Sequence, residues 1–168
     1  MTSHPLLRCN GFRWLRFVGR RRFVGPALGL TYNLSQGAGG VPASRVEEFQ
    51  RELEVSVEAV ARMRKRGIRV LPGGDYGFPA TPHGTYARDL WIFVKVLGFS
   101  AMETLVAATR LGGELMGRPG ELGIVKAGAL ADLLLVDGDP LADIAILQDP
   151  GALRMVMKDG VIYKRREG

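Results

Sequence analysis

The chain has 168 residues, 46% of them apolar, which suffices for one domain with a core and excludes a disordered polymer. The net charge of +6 does not describe the whole. Residues 1 to 22 hold six arginines and no acid, and the rest of the chain has as many basic side chains as its 17 acidic ones. Cys9 is the single cysteine, which excludes an internal disulfide framework and suits a reducing, cytoplasmic compartment.

In the Arg-rich segment, Trp14 and Phe17 stand between the charges. Three readings are open: a targeting segment, a surface anchor for anionic lipid or nucleic acid, or a terminus without a role. The charge-balanced body gives no reason to expect nucleic acid as its partner. No apolar run reaches the roughly 18 residues of a membrane span, so no membrane partner is expected either.

Phe23 to Tyr32 (FVGPALGLTY) reads as a short buried strand, followed by a Gly-rich loop to Pro42. Ser44 and Glu47 have the spacing of a capping box. Behind them Val46, Phe49, Leu53, Val57 and Val60 recur every three or four residues, which predicts an amphipathic helix over 44–66. Lys65 and Arg66 suit its last turn, and Gly67 ends it. Ile68 to Leu71 is a second strand. Strand, helix, strand is a βαβ unit, and its two strands should be parallel.

The stretch Val70 to Asp89 (VLPGGDYGFPATPHGTYARD) concentrates the chemistry. The strand breaks at Pro72-Gly73-Gly74 and Asp75 follows at once. A carboxylate just past the carboxyl end of a buried strand is where α/β folds place reactive groups, and adjacent glycines allow close approach. Against this, an Asp after a strand often only caps a turn. His83, one of two histidines, is either a loop residue bonded to backbone or, if the loop folds back, a metal ligand. Tyr76 and Phe78 either pack or line a pocket.

Downstream, Tyr86 to Leu97 reads as a helix with Leu90, Phe93, Val94 and Leu97 inward. Ser100 and Glu103 then open a helix to about Leu111 or Met116. Gly117 to Gly128 is turn-rich. Ala131 to Val136 is a strand, and Leu153 to Lys158 and Val161 to Lys164 form a hairpin about Asp159-Gly160. Leu133, Leu135 and Val156 are expected on its apolar face, in a sheet separate from the first strand pair.

The segment Gly120 to Ile144 resembles the closing segment of the amidohydrolase superfamily through Leu122, Gly123, Ile124, Gly128, Ala131, Asp132 and Leu133. The Gly-x-Asp after a strand, then His83-Gly84 and a helix, resembles that family's eighth barrel strand and loop, in the branch of imidazolonepropionases and metal-dependent prolidases. The resemblance implies an α/β fold: the last two strands and helices of a (β/α)8 barrel over 23–118, and strands of a small β-sandwich over 119–168, with 1–22 apart. It implies a metal-dependent hydrolase of C–N bonds (amide, cyclic amide or Xaa-Pro) acting on a small amide or dipeptide. Asp75 would ligate a divalent metal, zinc above all, and move the proton, while His83 and Tyr76 face the substrate. Asp132 would be structural.

The family's His-x-His pair, its bridging lysine or carboxylate and its two further histidines have no counterpart here, where the histidines are His4 and His83. Gly74 stands where relatives carry Thr or Ser, and Tyr86 where they often carry Asn. The resemblance therefore covers a C-terminal portion. A catalytic zinc needs about three protein ligands, so the chain alone is expected to be inactive, and the partners expected are an N-terminal segment that would restore the site or a further copy of the chain in a homo-oligomer. The alternative is a non-catalytic remnant or interaction domain that keeps part of the fold.

Overall fold

A computed structural model gives the architecture of residues 23–166; the basic segment, His4 and Cys9 lie outside the described residues. The order is β1 (Phe23–Val24), α1 (Leu28–Ser35), α2 (Ala43–Lys65), β2 (Arg69–Val70), α3 (Arg88–Lys95), α4 (Ala101–Ala108), α5 (Arg110–Leu115), β3 (Leu133–Val136), β4 (Leu153–Lys158) and β5 (Val161–Arg165), with a 3-10 turn at Ile144–Gln148.

β1 and β2 are parallel neighbours, with Phe23 opposite Arg69 and Val24 opposite Val70, as the βαβ reading requires. The first strand is far shorter than Phe23 to Tyr32. Pro26, which has no N–H for a ladder, ends it, and Ala27 turns the chain at φ 49 into α1. The apolar run after Pro26 is helical and puts Leu28 into the core beside Tyr32. The 44–66 helix is present as α2, but the Ser44–Glu47 box is not. The helix starts one residue earlier, on Pro42, with no side-chain cap. Ser44 is thus inside the first turn, and Glu47 pairs with Arg51 instead.

The core is closed by three helices around β2: Leu28, Val60, Val70, Ile92, Phe93, Leu97 and Phe99, flanked by Leu53, Val57 and Trp91. Arg64, near the end of α2, ties this layer to the next turn. Its guanidinium lies 3.8 Å over the Phe99 ring, donates to the Gly98 carbonyl at 3.0 Å and pairs with Glu103 at 3.2 Å. The second capping box is as expected: Ser100 Oγ accepts from the Glu103 N–H, and the Glu103 carboxylate accepts from the Ser100 N–H.

The helix beyond Ser100 breaks at Thr109 into α4 and α5. The 117–128 connection packs against that break. A Cβ on Gly123, whose φ is +72°, would lie 2.1 Å from the Thr109 carbonyl oxygen, so only glycine fits there.

β3, β4 and β5 form a separate antiparallel sheet in that order. Asp159 and Gly160 both have positive φ, which a two-residue hairpin turn demands. The register puts Val156 opposite Leu134, whereas Leu133 and Leu135 oppose Met157 and Met155. Val156 is therefore on the other face from Leu133 and Leu135, and the expected grouping of the three fails.

Candidate functional site

Beyond β2 the chain makes a compact loop held by its own backbone. Gly77 donates to the Thr81 carbonyl at 2.8 Å, Thr81 N–H donates to Phe78, and the buried Thr81 hydroxyl donates to the Asp75 carbonyl at 2.6 Å. Asn33 of α1 pins the loop from outside by donating to the Ala80 carbonyl at 2.7 Å. A self-bonded loop on a helix-braced strand end gives its side chains fixed positions.

Asp75 is exposed at the start of this loop, and its carboxylate makes no hydrogen bond or ion pair with any described residue. That leaves it free to accept a proton or a cation. Tyr76 is partly buried and packs edge-on against Tyr86, ring centroids 4.6 Å apart, while its hydroxyl donates to the Tyr86 carbonyl at 3.3 Å. His83 is exposed, with Nδ1 at 3.0 Å from the Tyr86 hydroxyl, and Gly77 leaves the space its ring occupies. The structure thus brings Tyr76 and His83 together on Tyr86. It does not join the Asp75 carboxylate to them.

Asp132 accepts from the Asp159 N–H at 2.8 Å and from Lys158 at 3.1 Å, fastening β3 to the hairpin. These donors, the Asp159 N–H foremost, lower its pKa, as befits the structural role read for it.

Two residues at the site carried no prediction. Tyr86 stood out only as a departure, yet both site side chains rest on it. Asp89, on the first turn of α3, is 5% exposed, and its Oδ1 has no hydrogen-bond partner among the described residues. Burial raises its pKa, and the nearby Tyr76 hydroxyl offsets this in part. In turn, burial first and Asp89 second push the Tyr76 phenol well above its ordinary range. Asp89 stands three and four residues before the core residues Ile92 and Phe93, on the same face of the helix.

An apolar groove of about 690 Å³ opens beside the loop, lined by Gly74, Tyr76, Tyr86, Leu115, Met116 and Leu134 among others. It runs between the strand end and the three-stranded sheet. Among the described residues no three His, Cys, Asp or Glu side chains converge as metal ligands. Asp75 alone does not fit a divalent ion.

An exposed carboxylate past a parallel strand, on a braced loop beside a groove, is the layout of α/β enzymes that work at the carboxyl ends of their strands. The chain belongs to the amidohydrolase family, whose model matches residues 35–163. It is similar to the ochratoxinase of Aspergillus niger, 31% identical over 101 residues, 60% of this chain and 20% of that protein. Among solved structures it is similar to a prolidase complexed with N-methylphosphonate-L-proline, at 29% identity and TM-score 0.72 over 87% of this chain and 36% of the prolidase. A putative prolidase from Bifidobacterium longum, 24% identical with TM-score 0.73 over 87% of this chain and 37% of its own, shares the fold. The chain thus spans about a fifth of the curated relative and little more than a third of these structures.

Proposed function

We propose that this chain supplies the C-terminal part of an amidohydrolase that cleaves C–N bonds in small amides or Xaa-Pro dipeptides, with β1 and β2 as the last two strands of its barrel. The observation that carries the reading is the position of Asp75: exposed, without a described partner, just past a parallel strand. A carboxylate there can take the proton of an attacking water and hand it to the leaving nitrogen. Tyr76 and His83, both held on Tyr86, face the substrate in this reading. The prolidase structure bound to a proline phosphonate supports a substrate of dipeptide size.

The described residues do not fit a divalent metal unaided, so ligands for zinc or another ion have to come from elsewhere. A second reading, a non-catalytic interaction domain, is favoured by the groove and by exposed Leu115, Met116 and Leu134 on its walls.

Complementation tests the hydrolase. The chain combined with the N-terminal part of a prolidase relative is expected to turn over Xaa-Pro dipeptides or N-acyl amino acids, and Asp75→Asn is expected to abolish that turnover without loss of fold. Assembly without turnover, or turnover indifferent to Asp75→Asn, would support the interaction domain instead.

A further inference from the structure

His83 and Tyr86 are joined side chain to side chain, with His83 Nδ1 3.0 Å from the Tyr86 hydroxyl oxygen. Both ends of this bond are held. The Thr85 hydroxyl closes the turn around His83 by donating to the Pro82 carbonyl at 2.7 Å. Gly77 leaves room for the ring, since a Cβ there would lie 3.1 Å from Nε2. The Tyr86 ring stands edge-on to Tyr76, and its carbonyl accepts from the Tyr76 hydroxyl at 3.3 Å and from the Asp89 N–H at 3.2 Å.

A phenol and a neutral imidazole can share a hydrogen in two ways. Either Tyr86 donates to Nδ1 and the ring carries its own hydrogen on Nε2, or Nδ1–H donates to the phenol oxygen and Nε2 keeps a lone pair. The first makes His83 a donor to a ligand, the second a base or a metal ligand. Acid and base strength decide between them. A phenol, with an ordinary pKa of about 10, is a far stronger acid than a neutral imidazole N–H. An imidazole nitrogen, protonated at about 6.5, is a far stronger base than a phenol oxygen. The better donor meets the better acceptor when the Tyr86 O–H points to Nδ1. Nε2 bonds to no described residue and His83 is exposed, so the Nε2–H is left for a ligand.

We propose that Tyr86 is a positioning residue: its hydroxyl donates to His83 Nδ1, holds the neutral ring as the Nε2–H tautomer, and so makes His83 a hydrogen-bond donor for an acceptor oxygen rather than a metal ligand. Assigning that oxygen to an amide or dipeptide substrate rests on the hydrolase reading. The tautomer does not, and it is measurable without substrate or metal.

The test reads the His83 ring nitrogens in the full chain by NMR, through the carbon-bound ring hydrogens, in mildly alkaline solution where an ordinary imidazole is neutral. His83→Gln assigns the signals. Wild type is expected to hold the Nε2–H tautomer in excess, and added zinc should leave it so. Tyr86→Phe keeps the ring against Tyr76 and removes the hydroxyl. It should lower the ratio of Nε2–H to Nδ1–H about threefold, within the range for one lost hydrogen bond. The Leu71 amide, bonded to Val24, should report an unchanged fold. In the complemented enzyme Tyr86→Phe should raise KM about threefold with kcat nearly unchanged, as loss of a binding donor does.

A ratio that rises in Tyr86→Phe would show that Nδ1–H was the donor, and an unchanged ratio would show that the contact sets nothing. Either result overturns the proposal, as does zinc that drives the hydrogen to Nδ1 or a variant that loses kcat alone. Should Tyr86→Phe disturb Leu71, the wild-type tautomer and its response to zinc still decide. The expected tautomer with failed complementation would sink only the hydrolase reading. Asp75-dependent turnover with the opposite tautomer would sink only the role given to Tyr86.

Discussion

The α/β unit and the three-stranded sheet are stabilised in different ways. In the first, α1, α2 and α3 close over β2, and Ile92, Val60 and Phe93 are at most 2% exposed. In the second, Leu134 is 58%, Leu135 56% and Tyr163 72% exposed. What holds the sheet is its hairpin turn, its ladder and charged fastenings such as Asp132 to Lys158 and Asp137 to Arg154. Stability is thus concentrated in the unit that carries the candidate site, and the sheet leaves large apolar side chains exposed among the described residues.

The largest expected effect lies in the closed core. Ile92→Ala should cost about 2–5 kcal/mol in denaturant unfolding, the range for emptying a fully buried aliphatic site. A loss near that of an exposed position would mean the helix layer is not the stabilising one. Next comes the cap between the layers: Ser100→Ala should cost about 1 kcal/mol, because the Glu103 N–H loses its acceptor.

Smaller still is the sheet. Leu135→Ser should stay within about 0.5 kcal/mol, as surface substitutions do. It should also reduce self-association in sedimentation if the exposed face is the sticky one. A core-sized penalty would show that the sheet is covered in solution and would break the contrast.

Asp89→Asn sharpens the comparison by its sign rather than its size. Burial raises the folded-state pKa of Asp89 above its unfolded value. Wild-type stability therefore falls as pH rises from the unfolded pKa through the folded one, because the ionised form is penalised in the fold. Asparagine does not ionise. The variant should match wild type in acid and exceed it above that window, as read from urea midpoints at the two pH values. A variant weaker than wild type only at neutral pH would show instead that the buried charge stabilises.

Local chemistry made much of this legible. Asp159-Gly160 could hardly be anything but a hairpin turn, and Ser100 with Glu103 specified both halves of a cap. The parallel pair followed from strand, helix and strand in succession. The failures come from signals that sequence leaves ambiguous. Residues 28–35 are apolar enough for a strand or a buried helix, and only Pro26 hinted that the strand had stopped. Ser44 and Glu47 had the spacing of a box, but the chain entered the helix a residue early. The face of Val156 depended on a pairing register that the β4 sequence does not contain. At the site, Asp75, Tyr76 and His83 drew notice because they are polar and stand near glycines. Asp89 was passed over because an acid in the first turn of a helix is ordinary, and its burial depends on the absent side chains of Gly29 and Gly74, residues sixty and fifteen positions away.

The central claim is that these residues set one exposed carboxylate at the strand end and that the rest of a hydrolytic site has to come from elsewhere. Calorimetric titration of the isolated chain with zinc tests it most directly. The expected result is weak binding without defined stoichiometry, changed little by Asp75→Asn, because one exposed carboxylate leaves the ion largely hydrated. Tight one-to-one binding that Asp75→Asn removes would contradict the claim and show that the chain assembles a metal site by itself.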